Sequence, residues 1–211
     1  MKKIFRIASL PRIMLAALAL CSFVPMRADD GTIVKDVSPD KRYEVRKSGN
    51  EKDTIEIADL RLKKGDKLLL NFAEIYGLKG RAEDTTTMWR ADSGAFAYNY
   101  TFLKSGVTLV YRKEGDTFKE LELPKLPPMK KDDGKEVADT DLIITASTVY
   151  PIRWEKKTGA LVLEEFRIYN GGPWETTYRK IVVNVPAKGP LTLKEVKQIE
   201  DSQKPEEINK R

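Results

Sequence analysis

The sequence predicts an all-β fold of antiparallel sheets, arranged either as blade-like units (a partial β-propeller) or as a β-sandwich. Two observations predict this class. Apolar and polar residues alternate with a period of two along most of the chain, which is typical of strands with one buried face. Short turns rich in glycine, aspartate and serine separate the alternating stretches. These stretches are residues 43–46, 54–62, 67–72, 94–103, 108–112, 118–123, 141–148, 160–169 and 178–185.

The rest of the chain is organised around these stretches. Residues 191–199 fit a helix or a strand, and we favour a strand that pairs back across the proline-flanked turn at 186–190. Residues 124–135 concentrate proline and charge without periodicity, which predicts an exposed connector. Residues 202–211 are polar and are predicted to form a tail. We therefore expect residues 29–201 to form a single all-β domain.

Residues 1–28 are predicted to be a secretory signal peptide. Basic residues come first, an apolar run follows at 13–24, and charged sequence resumes at Asp29, which is the order that such peptides show. The apolar run is shorter than the roughly 20 residues that span a bilayer. A lipoprotein signal ending at Cys21 is the disfavoured alternative, since the bulky Leu20 precedes it. The protein is therefore predicted to be exported, periplasmic or secreted, with no integral membrane segment in its mature chain.

Removal of this segment changes what the charge of the protein implies. The full chain carries 38 basic and 32 acidic residues, a net charge of +6. Residues 1–28 contain five of the basic residues and none of the acidic ones, so the mature chain has a net charge of +1. A nearly neutral surface of mixed charge does not indicate a nucleic-acid partner.

The composition also excludes several kinds of site. The chain has no histidine, and its one cysteine lies within the predicted signal. Histidine triads, histidine zinc sites and disulfides are therefore excluded from the mature protein. The clustered acids Asp132, Asp133, Asp139 and Asp141 do not follow calcium-loop spacing, and no phosphate-binding glycine loop is present. We therefore predict no cofactor and no metal site.

Three short phrases repeat along the chain, each with a large apolar residue, a polar tight turn and then an apolar strand. The phrases begin at Val37, Trp89 and Trp154. A second, more polar turn follows later in each segment, at residues 63–66, 114–116 and, less clearly, 186–190. This order predicts a weak internal repeat of three strand-and-turn units.

The turns Ser-Pro-Asp-Lys-Arg at 38–42 and Trp-Arg-Ala-Asp-Ser-Gly at 89–94 resemble the β-propeller repeats of Tol-type periplasmic proteins. The resemblance covers about 160 residues as three loose blades. Lys41 stands where glycine is usual, and Lys157 replaces aspartate in the third copy. Closed propellers have four to eight blades, so the resemblance implies blade-like sheets and not necessarily a closed ring. An antiparallel sandwich with similar turns is the alternative.

Two features are candidate ligand-binding sites. Side chains alternate along a strand, so one face of the strand at 94–103 carries a row of aromatic rings: Phe96, Tyr98, Tyr100 and Phe102. Such a row is either core, the commoner outcome, or a stacking platform for a sugar ring or a peptide. The small residues on the opposite face indicate a central strand with a second layer packed closely against it. Trp174, in a glycine-rich loop, either contacts a partner or folds back over the core.

The predicted function is that of an exported, non-enzymatic binding or scaffold protein of the cell envelope, with a protein or glycan partner. No recognisable catalytic arrangement supports an enzyme. The alternative is a carboxylate-based hydrolase that acts on an envelope polymer, for which Glu164 and Glu165 are the candidate acids to pair with a third.

Overall fold

The computed structural model of the protein describes residues 34–50, 54–72, 74, 85–102, 105–128, 143–170 and 175–199. The predicted signal peptide, the polar tail, Trp174 and the four clustered aspartates lie outside the described residues. Within the described ranges, no helix is long and apolar enough to cross a membrane.

The predicted all-β class is confirmed, because the described chain folds into twelve strands. They are β1 (Val34–Val37), β2 (Tyr43–Asn50), β3 (Thr54–Leu62), β4 (Lys67–Asn71), β5 (Thr85–Trp89), β6 (Ala95–Phe102), β7 (Ser105–Glu114), β8 (Thr117–Leu121), β9 (Ile143–Trp154), β10 (Leu161–Asn170), β11 (Glu175–Asn184) and β12 (Thr192–Ile199). The strand interpretation of residues 191–199 is confirmed, since β12 pairs antiparallel with β11; the helix alternative is wrong.

The strands form three consecutive four-stranded meanders. β1 to β4 make the first meander, β5 to β8 the second and β9 to β12 the third, and the strands within each pair antiparallel in chain order. A short parallel contact between β7 and β9 joins the second and third meanders into one eight-stranded sheet. Each meander is a local unit, because short turns connect strands that are neighbours in sequence.

The second meander is the middle layer of the stack. One of its faces packs against the first meander in a core built from Tyr43, Val45, Ala58, Leu60, Phe72, Phe96, Tyr98, Tyr111 and Phe118. Its other face packs against the third meander through Ala95, Ala97, Val110, Leu121, Leu161, Leu163, Ile181, Val183, Val185 and Leu191. Since side chains alternate along β6, aromatic rings fill the first interface while the two alanines let the third meander approach closely. The predicted close second layer is therefore present.

The three repeated phrases are the turns between the first and second strands of each meander. In each, one N–H bonds to the carbonyl five residues later: Ser38 to Tyr43 at 3.0 Å, Arg90 to Ala95 at 2.9 Å and Glu155 to Ala160 at 2.8 Å. Lys41 and Ser93 close the first two turns with a left-handed φ, and Gly159 does so one position later in the third. Lys41 therefore adopts the conformation that glycine takes most easily, which explains why glycine is usual there in the turns that it resembles.

Gly106 permits the junction between the second and third meanders. It pairs in parallel with Thr148, as Ser105 does with Ser147. A Cβ atom on Gly106 would overlap the Cγ2 methyl group of Thr148. The two strands can approach this closely only because residue 106 has no side chain.

Replacing Gly106 with alanine is expected to lower the free energy of unfolding by about 1–3 kcal/mol, the usual cost of overpacking a buried contact. The additional change Thr148→Ser removes the overlapping methyl group and should recover part of that loss. Urea unfolding of the wild type, the two single variants and the double variant measures the coupling. If the double variant is no more stable than Gly106→Ala, the overlap with the Thr148 methyl group is not what destabilises that variant.

Candidate functional site

The aromatic row predicted on β6 lies largely in the core. Phe96 and Tyr98 have no exposed surface. Phe72 of the first meander stacks on Tyr98 with ring centroids 4.5 Å apart, and Phe96 stacks on Tyr111 at 4.9 Å. Because the first meander covers this face, both rings belong to the core and present no surface to a ligand.

The other predicted site residues have different positions. Tyr100 is half-buried at the margin of the same core. Phe102 is the last residue of β6, and its side chain lies outside what the structure describes, as does Trp174. A ligand-binding role for these three residues stays a prediction.

A buried polar cluster lies beside Tyr98, between the first and second meanders. The Lys47 ammonium group is 2.6 Å from Oδ2 of Asp36 and donates a hydrogen bond of 3.1 Å to the Thr85 carbonyl. Burial raises the pKa of the Tyr98 hydroxyl. A buried charge must be paired to be tolerated, and here the pairing links β1, β2 and β5. The cluster therefore serves to hold the two meanders together.

The candidate functional site lies on the outer face of the third meander, which points away from the second. On β10, Leu161 and Leu163 face the second meander. Since successive side chains alternate, Val162, Glu164 and Phe166 lie on the outer face.

Three aromatic rings from three neighbouring strands form a row on this face. Tyr150 of β9 lies 6.3 Å from Phe166 of β10, and Phe166 lies 6.2 Å from Tyr178 of β11, between ring centroids. All three side chains are half-buried. We call these three residues the outer aromatic band. A small apolar cluster continues along the same face: Ile152, Ala160, Val162 and Val182.

A buried carboxylate lies beside the outer aromatic band. Glu164 is 3% exposed, and the Tyr150 hydroxyl donates a hydrogen bond of 2.6 Å to its Oε1 atom. The cross-strand neighbour of Glu164 on β11 is Lys180. The bond to Glu164 fixes the phenol of Tyr150, so the first ring of the band has a defined orientation.

Glu165 takes part in a separate cluster on the inner face. Its carboxylate accepts hydrogen bonds from Arg179 at 2.5 Å and from Arg167 at 2.8 Å. Arg179 also donates to the carbonyl of Pro127, which anchors the first part of the predicted connector to the third meander. Because Glu164 and Glu165 are consecutive on a strand, they point to opposite faces and do not form a catalytic pair with each other.

The repeated turns come together at one end of the stack. The Asp40 N–H donates to the Ser93 hydroxyl at 3.0 Å, which connects the first two turns. The Arg90 guanidinium lies 5.8 Å from the ring centroid of Trp154, at the start of the third turn. Arg90 also bonds to Asp92 at 2.8 Å, and this bond holds the pKa of the Asp92 carboxyl below its usual value. These contacts tie the three meanders together at their turns.

The outer aromatic band was not among the residues singled out from the sequence. Its members lie on three separate strands, 16 and 12 residues apart. Only the cross-strand register brings them together: Phe166 lies opposite Tyr178, and Tyr150 lies opposite the residue two positions before Phe166. The alternation of apolar and polar residues in 160–169 predicts this strand. It does not predict which side chains of the neighbouring strands lie beside Phe166.

Among the residues that the structure describes, no three histidine, cysteine, aspartate or glutamate side chains come together to hold a metal ion. No family model matches the chain, and neither a curated protein nor a solved structure does.

Proposed function

We propose that the protein is an exported binding protein of the cell envelope that recognises a glycan through the outer aromatic band. The observation that carries this proposal is the row of three half-buried rings on the outer face of the third meander. Ligand sites are lined mainly by aromatic and apolar groups, with a few fixed polar groups that set orientation. Tyr150, held by Glu164, supplies such a fixed polar group. The signal-like order of residues 1–28 supports export.

The size of the band favours a narrow ligand over a folded protein. An aromatic side chain has roughly 200 Å² of surface, so three half-buried rings expose about 300 Å² together at most. A stable interface with a folded partner buries about 800 Å² on each side. A sugar chain that lies along three rings needs far less area, and the aromatic faces and the fixed hydroxyl suit its mixed apolar and polar surface.

The arrangement of the acids favours binding over hydrolysis. Retaining and inverting glycosidases need two carboxyl groups that face the same bond, roughly 5–10 Å apart. Glu164 lies on the outer face with its carboxylate bonded to Tyr150. Glu165 lies on the inner face, where two arginines neutralise it. We therefore give Glu164 an orienting role in the proposed site.

Replacing Tyr178 with leucine is expected to weaken glycan binding about tenfold, because the loss of one stacked ring costs about 1–2 kcal/mol. Leucine retains much of the buried volume, so the fold should persist. The measurement is co-sedimentation of the purified protein with insoluble peptidoglycan, together with titration of soluble envelope polysaccharides.

The matched control is Tyr100→Leu, which removes a half-buried tyrosine from the margin of the first core. It should bind the glycan as the wild type does. If Tyr100→Leu impairs binding and Tyr178→Leu does not, the site lies on β6 and not on the outer face. If both variants bind normally, the outer aromatic band is not the ligand site.

A further inference from the structure

Six turns, two from each meander, meet at one end of the stack, which we call the turn end. It comprises residues 39–42, 63–67, 90–94, 113–117, 155–159 and 186–190. In the first meander, the Lys63 N–H donates to the Arg42 carbonyl at 2.9 Å and joins the two turns. In the second, the Lys113 N–H donates to the Gly94 carbonyl at 2.9 Å and does the same.

The turns of the third meander lie at the same end. Arg90 lies against the ring of Trp154, where the first of them begins, and also donates a hydrogen bond of 3.1 Å to the Val185 carbonyl, just before the second. Arg112 donates a hydrogen bond of 2.6 Å to the Gly189 carbonyl within that second turn. The six turns therefore form one continuous surface.

The turn end concentrates positive charge. Its six segments contain ten basic and six acidic residues, a net charge of +4. Residues 29–211 together have a net charge of +1, so the remainder of the mature chain has a net charge of −3. A net charge near zero thus conceals an uneven distribution, in which the basic excess lies at one end of the molecule.

Most of the acids at the turn end are bonded within the fold. The Asp92 carboxylate, for example, accepts hydrogen bonds from the Arg90 guanidinium and from the Gly94 N–H. Four other acids have partners of this kind: Asp40 with Ser38 and Arg42, Asp66 with Arg46 and Arg61, Glu114 with Arg112, and Glu155 with Thr158 and Lys194. These carboxylates stabilise the turns and do not pair with the basic excess.

Seven exposed lysines at the turn end have side chains without a hydrogen bond, an ion pair or a ring contact in the described chain. They are Lys41, Lys63, Lys64, Lys67, Lys156, Lys157 and Lys188. Four belong to the first meander and three to the third, which are the two outer layers of the stack. Packed layers lie about 10 Å apart, so roughly 20 Å separates the two groups. One small anion cannot contact both.

We propose that the turn end binds to the surface of a bilayer that contains anionic phospholipids. The basic excess is complementary to such a surface, which attracts clusters of lysine and arginine. Lysine is a compact, hydrated point charge, whereas arginine is suited to bidentate binding of a single phosphate group. Separate lysines therefore fit a surface with many negative charges better than they fit one defined anion.

The placement of the lysines favours a membrane over a linear polyanion. They occupy four turns, two in each outer layer, and the two turns of a meander are about 10 Å apart across the strands. The lysines are thus spread in two dimensions and do not follow a line. The apolar residues exposed within the turns are small or are prolines: Pro39, Ala91, Ala187 and Pro190. The contact is therefore electrostatic and does not depend on insertion into the bilayer.

The test compares vesicles with and without anionic lipid. The purified exported protein should co-sediment with vesicles of phosphatidylglycerol and phosphatidylcholine in equal parts, and not with vesicles of phosphatidylcholine alone. Added salt should release it, because salt screens exposed charges. The double variant Lys64→Gln with Lys157→Gln should bind about tenfold or more weakly, since each lysine near an anionic surface strengthens binding about fivefold.

The matched control is Lys125→Gln with Lys197→Gln, which removes the same charge from two exposed lysines away from the turn end. It should bind the vesicles as the wild type does, and circular dichroism checks that both double variants are folded. The proposal is overturned if the wild type does not prefer the anionic vesicles, or if the control loses as much binding as the turn-end variant.

Two further measurements separate this surface from other partners. Soluble polygalacturonate is the probe for a linear polyanion. If the protein binds it through Lys64 and Lys157 and does not bind vesicles, the membrane proposal is wrong. The inference is independent of the proposed glycan site, because it depends on the turns and not on the outer aromatic band. Tyr178→Leu should accordingly bind anionic vesicles as the wild type does, so either proposal can fail without the other.

Discussion

Replacing Arg179 with methionine is expected to lower the free energy of unfolding by about 3–5 kcal/mol, as removal of one partner from a buried ion pair does. The side chains of Arg179 and Glu165 are each 3% exposed. Methionine fills the space of the arginine stem but leaves the carboxylate of Glu165 buried with a single partner, Arg167. It also removes the hydrogen bond to the Pro127 carbonyl. Urea unfolding followed by fluorescence measures the loss.

Two further variants separate the charge from the packing. Arg167→Met removes the other partner of Glu165. Because the Arg167 side chain is 23% exposed, this change should lower the free energy of unfolding by about 1 kcal/mol or less. The double variant Glu165→Leu with Arg179→Met removes both buried charges and should be close to the wild type, as buried pairs replaced by apolar residues often are. An Arg179→Met variant no less stable than Arg167→Met would contradict the assignment of this cluster as a buried ion pair.

The buried ion pair also shows which features the sequence could not predict. In the sequence, Glu165 and Arg179 are ordinary polar residues on two predicted strands. The alternation predicts on which face of the strand each side chain lies, but it does not predict which part of the chain packs against that face. The pair is buried because the third meander packs its Leu161 face against the second. The stack of layers depends on a core that brings together residues more than 60 positions apart in sequence, among them Ala97 and Leu163.

Features that depend on neighbours in sequence were predictable. The strand class and most turns follow from the period of two and from the glycine and aspartate positions, and the repeated phrases at Val37, Trp89 and Trp154 mark the turn between the first and second strands of each meander. The small residues opposite the aromatic row on β6 predicted a central strand with a close second layer, and the third meander packs there against Ala95 and Ala97. The relation of these meanders to propeller blades stays a prediction.

Replacing Phe96 with alanine is expected to lower the free energy of unfolding by about 3–5 kcal/mol, the usual range for a fully buried phenylalanine. Phe96 has no exposed surface. Its ring lies 4.7 Å from that of Trp89, 4.9 Å from that of Tyr111 and 5.3 Å from that of Phe118, between centroids. Phe72, which follows β4 of the first meander, lies 6.3 Å from it on the other side. Alanine would therefore leave a cavity between the two meanders that these rings cannot collapse to fill. Guanidinium unfolding followed by tryptophan fluorescence reports on this core directly, because Trp89 lies beside the cavity.

This variant separates the two roles that the sequence left open for the aromatic row. A ring on a ligand-binding face is exposed, so its loss would change stability by less than about 0.5 kcal/mol and would reduce binding instead. Val107→Ala is the matched control for an exposed apolar residue on the neighbouring strand β7, where Val107 is 43% exposed, and should be nearly neutral. If Phe96→Ala were as stable as Val107→Ala, the first meander would not pack on β6. The packing of the first and second meanders predicts instead that Phe96→Ala unfolds at a clearly lower guanidinium concentration, while Val107→Ala unfolds with the wild type.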